Sequence, residues 1–380
     1  MLHFIAAGLL TALINHLGLG AWRRAGAAHW TERARLLWPV RVTAGMNIFL
    51  LPLVLNLWQQ IFSPEPLLMR MANGLAALAG ALLGSYPLER EIFPQLNFRN
   101  WRHQVAAGWG IRLSFLVALV MAGVLMPAAA GWGMLLVVVG YLAFHFAIQR
   151  GLVIQYLRLV KFMEPAGPRL QKIVDEAAAR RQVPVRRTWQ FGGLLANALA
   201  FPPTRELAFS TRLLEICTDE EIAAICAHEL AHLTESKTIL AGRLLGSLTL
   251  FPLIFIIPAW GYLGPAGIFL PGLGLVLISK FTHWLSQRLE KRADAAARSE
   301  QSNEGVYARA LEKLYRENQI PAVNPDNKQT HPHLYDRMVA AGVTPDYPRP
   351  AKPRKMTGAG WLIIVAMGMA VGITMGQLTR

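Results

Sequence analysis

The sequence predicts a mainly α-helical, polytopic membrane protein of about seven or eight transmembrane helices, with a smaller α+β domain on one side of the bilayer. Three observations lead there: the apolar composition, the length of the apolar runs, and the placement of basic residues between them. Of 380 residues 53% are apolar and 16% charged, against about 25% charged in typical soluble domains. A lipid-crossing helix needs about 20 predominantly apolar residues. Eight runs approach that length, near 3–21, 42–62, 67–86, 111–128, 132–149, 238–259, 264–283 and 359–377.

The net charge of +15 raises nucleic acid as a partner, but its distribution follows topology instead. The connection at 22–41 carries Arg23, Arg24, Arg33, Arg35 and Arg41, and the one at 87–112 carries Arg90, Arg99, Arg102 and Arg112. The short connections 63–66, 129–131 and 260–263 carry no Lys or Arg. This alternation is the positive-inside pattern. It predicts an outside N-terminus and two cytoplasmic polar segments, with lipid and not nucleic acid as the partner. The first run has Arg23-Arg24 after it and no basic residues before it, which predicts a retained anchor rather than a cleaved signal. The Ala-, Arg- and Gly-rich composition suggests a bacterial inner membrane. Cys217 and Cys226, the two cysteines, make no disulfide framework and belong in a reducing compartment.

The expected organisation is a membrane region of about five helices over 1–149, a polar block over 150–237, a helix pair over 238–283, a second polar block over 284–357, and a last helix over 358–380. In the first block an amphipathic helix is expected near 166–181, ended by Pro184. Strands follow at 187–191, 194–201 and 206–210. Thr218 and Glu221 form a capping box that starts a helix running to about 236. The second block begins with a helix near 284–299 and has another at about 304–317, followed by a loop over 320–330. The Pro- and Lys/Arg-containing stretch after 347 reads as a stiff linker.

The chemistry lies in His228-Glu229-Leu230-Ala231-His232. On a helix, residues four apart share a face, so both imidazoles can reach one metal ion. Glu229 beside them is placed to accept a proton from water at that ion. A catalytic zinc site needs a third protein ligand and leaves one position open. Glu290 is the best candidate, with Asp294 one turn further on, able to hydrogen-bond a ligand histidine. The local pattern alone also allows Glu290 and Asp294 to be solvated charges pairing with Lys291, Arg292 or Arg298.

With these residues in place, the chain resembles the M48 family of membrane metallopeptidases, which includes the HtpX-type heat-shock proteases and the Ste24-type CaaX endoproteases. The matching features are the His-Glu-x-x-His segment, Glu290-x-x-x-Asp294, His331-Pro332 with Arg337, and Asn197-Ala198. The resemblance implies a zincin-like α+β catalytic domain, which the charge pattern places in the cytoplasm, and one Zn2+ per chain, bound by His228, His232 and Glu290. It also implies Glu229 as general base, His331 and Arg337 facing the substrate and the tetrahedral intermediate, and Asn197-Ala198 on the strand edging the cleft. His333 stands where the family has a second Pro, as a surface histidine or an extra ligand.

The expected function is zinc-dependent endopeptidase action on peptides or proteins, membrane-associated or prenylated ones among them, in membrane protein processing or quality control. The order of five helices, then two between the blocks, resembles the Ste24 type, so a CaaX prenyl-protein endopeptidase is the alternative. From a different class, a transporter or non-catalytic scaffold would use His16, Arg70 and His145 as its intramembrane ionisable groups.

Overall fold

The computed structural model describes residues 1–325 and 333–378. Its N-terminal frame consists of α1 (Leu2–Gly18), the short α2 (Gly20–Arg24), α3 (Trp30–Phe62), α4 (Leu67–Ile92), α5 (Phe98–Leu125) and α6 (Trp132–Ala147). α6 passes through a π-turn, with Gly151 at a φ of 103°, into α7 (Val153–Leu159). A polar block follows: β1 (Met163–Pro165), α8 (Pro168–Arg181), β2 (Arg187–Phe191), β3 (Ala198–Phe201), β4 (Glu206–Ser210), α9 (Thr211–Ile216) and α10 (Asp219–Leu233). The chain continues through α11 (Lys237–Ser247), α12 (Ile256–Leu263), α13 (Phe269–Ser299), α14 (Val306–Glu317), α15 (Leu334–Ala340) and α16 (Gly358–Leu378).

Six helices among the described residues are long and apolar enough to cross a membrane. A seventh span results if Lys237–Ser247 and Phe251–Leu263 count as one, although they meet at 52°. The straight run expected at 238–259 is therefore bent. Pro252 opens a 3-10 turn at Phe251–Phe255, and a proline there has no N–H to continue the α-helical ladder. The apolar part of α16 is shorter, Gly358–Ile373.

α1 and α4 pack through small residues. A Cβ on Gly80 would run into the main chain of Phe4, and one on Gly84 into that of Gly8. Ala7, Ala77 and Ala81 are buried in the same seam. The outward faces of the frame carry exposed Leu9, Leu17, Val117, Val124, Leu136 and Val139, as lipid-facing helices do.

The polar block holds a four-stranded sheet in the order β1-β2-β4-β3. β2 runs parallel to β4, whereas β1 and β3 pair antiparallel with their neighbours. β3 is therefore an edge, with Ala198 opposite Phe209 and Phe201 opposite Glu206. It is shorter than the expected 194–201. β4 ends at Ser210, and beyond it Asn318 pairs the Ala196 main chain: its side-chain oxygen accepts from the Ala196 N–H and its amide donates to the Ala196 carbonyl, each at 2.8 Å.

α10 begins at the expected capping box, Thr218 with Glu221. Ile222, Ile225, Cys226 and Leu230 pack with α8 and the sheet, while Ala224 packs with Val306, Tyr307 and Leu311 of α14. A helix buried on opposite sides cannot roll, which fixes the direction of its polar side chains. α13 differs from the expectation of an apolar run followed by a separate helix. It is one 31-residue helix, about 46 Å long, apolar at its start and bearing Glu290 and Asp294 near its end.

Candidate metal centre and cleft

α10 presents His228 and His232 on one face, and α13 brings Glu290 against them. His228 Nε2 lies 3.5 Å from Glu290 Oε2, and His232 Nε2 lies 3.7 Å from Glu290 Oε1. One donor atom from each of the three lies within 4.8 Å of the others, and all three residues are buried. Ligands of a tetrahedral zinc at its usual bond lengths stand about 3.4 Å apart, so the donor set fits that ion. The far side of each ring is consistent with this, because both Nδ1 atoms are engaged elsewhere. Among the described residues the group consists of these three, and His333 is not part of it. His333 is buried, and its Nδ1 accepts from the Asn324 N–H at 3.0 Å.

Behind His228 stands a network from α13, α14 and α15. Its Nδ1 is 2.7 Å from the Tyr307 hydroxyl and 3.2 Å from Asp294 Oδ1. Tyr307 donates to Asp294 Oδ1 at 2.7 Å, and its ring stacks on His228. Arg337 donates through Nε to Asp294 Oδ2 at 2.9 Å, and through Nη2 to Asp294 Oδ1 at 2.5 Å and to the Tyr307 oxygen at 3.0 Å. Burial opposes charge on His228, but hydrogen bonds to Asp294 and Glu290 and the charge of Glu229 outweigh it and raise the imidazole to about 9. A metal ion held by Nε2 would take the place of the proton there. Burial pushes the Tyr307 phenol well above its ordinary range, so it stays a neutral donor.

His232 has its own support. Its Nδ1 lies 3.0 Å from Glu235 Oε1, and Arg243 grips the same carboxylate. Burial disfavours the charged form of Glu235, yet hydrogen bonds from His232 and Arg243 hold its carboxyl below the usual range. At the end of α10, Arg292 donates to the Ala231 carbonyl at 2.5 Å. The Thr234 hydroxyl donates to the same carbonyl at 2.8 Å, and Arg292 adds a favourable charge at the helix C-terminus.

These groups floor a cleft of about 350 Å³, lined also by Glu229, Asn197, Ala198, Leu199 and Arg337. Glu229 is buried beside the two histidines. Asn197 is exposed, its N–H donating to Ser210 Oγ at 2.9 Å and its carbonyl accepting from the Ser210 N–H at 2.8 Å. Arg337 reaches the cleft wall with its guanidinium committed to Asp294 and Tyr307. His331 lies outside the described residues.

Sequence reasoning missed Tyr307, Glu235 and Arg243. Glu235 had a legible signal, an acidic residue one turn beyond His232 and so able to reach its ring. Tyr307 and Arg243 had none, because their contacts depend on how α14 and α11 dock.

Residues 166–342 match the profile of peptidase family M48. A protein named Protease HtpX homolog from Trichormus variabilis is 26% identical over 168 residues, covering 40% of this chain and 58% of that protein. The chain thus spans little more than half the length of that relative.

Proposed function

We propose, on the premise that residues 166–342 are a peptidase family M48 segment, that the chain is a membrane-embedded zinc metalloendopeptidase. The observation that carries this is the convergence of His228 Nε2, His232 Nε2 and the Glu290 carboxylate while both Nδ1 atoms are engaged from behind. A zinc held by these three residues would supply Lewis acidity, activating water and polarising the scissile carbonyl.

The chain's own groups do the rest. Glu229 accepts the proton of the attacking water and later delivers it to the departing amine. Asn197 and Ala198 lie at the sheet edge, where an extended peptide adds by main-chain hydrogen bonds and selectivity for sequence stays low. Asp294, Tyr307 and Arg337 hold His228 in the tautomer that leaves Nε2 open. The distribution of Arg and Lys supports a cytoplasmic catalytic domain, and the Ala-, Arg- and Gly-rich composition supports a bacterial inner membrane as its location. The division into membrane region 1–149, blocks 150–237 and 284–357, pair 238–283 and last helix 358–380 follows this reading.

The test compares purified wild type with Glu229→Gln on an unfolded model protein and on prenylated and unprenylated peptides, with zinc content measured. We expect equal zinc and a loss of turnover of about 10²–10⁴-fold in the variant. Cleavage confined to the prenylated peptide would narrow the substrate to CaaX-type proteins. Folded wild type without zinc, or full activity in the variant, would overturn the assignment.

A further inference from the structure

The two candidate ligand histidines are supported by different parts of the chain. His228 is backed by Asp294, Tyr307 and Arg337, all from the second polar block. His232 is backed by Glu235, whose side chain is fully buried, and by Arg243 of α11. Arg243 Nε lies 2.5 Å from Glu235 Oε2 and Nη2 lies 2.5 Å from Oε1. This two-point fork comes from the first half of the bent apolar pair. It ties the metal helix directly to a membrane element.

Arg243 Nη2 also lies 3.1 Å from His232 Nδ1, which creates a choice. If Nδ1 carries the ring proton, it donates to Glu235 Oε1 and leaves a lone pair on Nε2, facing Glu290. If Arg243 donates to Nδ1 instead, the proton must sit on Nε2, where it blocks coordination. A carboxylate in front of Arg243 resolves the choice. It draws both guanidinium N–H groups onto its own oxygens and still offers a lone pair to Nδ1–H.

We propose that Arg243 and Glu235 form a positioning pair for His232, through which helix α11 sets the affinity of the site for zinc. The inference rests on the reading of His228, His232 and Glu290 as the metal ligands. It adds that the membrane pair, and not only the polar block, prepares them. Arg243 also borders both the candidate metal cleft and a neighbouring cavity of about 410 Å³ between the π-turn into α7, the end of β3 with the turn after it, α11 and α13. Displacement of α11 by anything filling that cavity would thus be felt at His232.

The test uses full-length protein in detergent, with the zinc dissociation constant from chelator competition and the visible spectrum of the cobalt-loaded form. Arg243 is 39% exposed, so Arg243→Met leaves no buried void. We expect this variant to bind zinc about 10–100-fold more weakly. Arg243→Lys, which keeps the charge but loses the fork, falls between it and wild type. Cleavage returns when free zinc is raised, with KM unchanged, an outcome that a general packing defect would not give. Glu235→Leu weakens zinc further than Arg243→Met, since Nη2 then stands alone beside Nδ1. Adding Arg243→Met to Glu235→Leu recovers part of the loss, whereas independent roles would multiply the losses. Tyr307→Phe acts on the other histidine and multiplies with Arg243→Met. Wild-type affinity in Arg243→Met, or a double variant weaker than both single ones, overturns the proposal. Absence of zinc from wild type would instead overturn the metal-site reading, a different result from tight binding by wild type and Arg243→Met alike.

Discussion

The helix frame and the polar block bury their interiors by opposite means. In the frame, α1 and α4 meet backbone to backbone over Gly8, Gly80 and Gly84, while large apolar side chains such as Leu9, Leu17 and Val124 point outward. In the block, large side chains such as Phe209, Ile222, Leu213 and Leu230 fill the interior, and buried charges are paired in networks. The difference follows from the solvent. Lipid gives apolar side chains no reason to turn inward, so close approach and dispersion must hold the helices. Water drives the same side chains into a core. The candidate metal site of His228, His232 and Glu290 sits where the two modes meet, with α13 crossing from one to the other and α11 supplying Arg243. A substitution should therefore damage either the frame or the site, according to which kind of packing it disturbs.

The largest separation of the two is expected at Gly80. A side chain there would collide with the Phe4 main chain, and no rotamer change relieves a clash with backbone. Overpacking costs typically about 1–3 kcal/mol, occasionally more, and this site belongs at the upper end. Gly80→Leu should lower the thermal unfolding temperature in detergent well below wild type. Gly140→Leu on α6, where a Cβ meets nothing within 4 Å, should leave it unchanged. Equal melting of both variants would break the comparison, since the frame would then not depend on backbone approach between α1 and α4.

The two regions also differed in how much the sequence disclosed. The apolar runs are mostly helical, and six or seven of the eight give a span long and apolar enough to cross a membrane; the need to pair backbone in lipid makes length and composition strong guides. Their shape was less legible: the 52° bend between α11 and the helices after it depends on how Pro252 is accommodated. In the block, the capping box and the strands Arg187–Phe191 and Glu206–Ser210 were readable from local chemistry. The true extent of β3 was not, since it depends on where β4 ends and on Asn318, more than a hundred residues away, which pairs the Ala196 main chain. Asn318 therefore sharpens the comparison on the block's side. Its carbonyl in turn accepts from Arg41 of α3 at 2.5 Å, so frame, α14 and cleft edge are linked through one residue. Asn318→Ala frees two buried main-chain groups, a cost to stability of about 1–3 kcal/mol each. Because those groups hold the cleft edge in place for an extended peptide, we expect zinc content to stay at the wild-type level while kcat/KM falls about tenfold or more, chiefly through KM. Loss of zinc together with activity would mean that the edge strand and the metal helix are a single cooperative unit.

The smallest effect is expected at the cysteines, which probe how tightly the block's interior is closed. Both thiols are buried, and Cys226 stands two residues before His228. Burial, with the charge of Glu221 adding to it, pushes the Cys217 thiol up to about 12, and burial raises Cys226 as well. A raised pKa leaves a thiol protonated: at pH 8 a group titrating near 12 is about one part in ten thousand thiolate, the reactive form. Folded protein at pH 8 should thus react with iodoacetamide far more slowly than protein unfolded in denaturant, where the thiols regain ordinary values. Cys226→Ala should retain zinc, because its side chain packs with Ile222 and Leu230 in the core, away from the histidine face. Rapid labelling of folded protein would mean that α10 is uncovered on its α8 side. The metal helix would then be free to roll, and the fixed direction of His228 and His232 would have to come from their hydrogen-bonded supports alone.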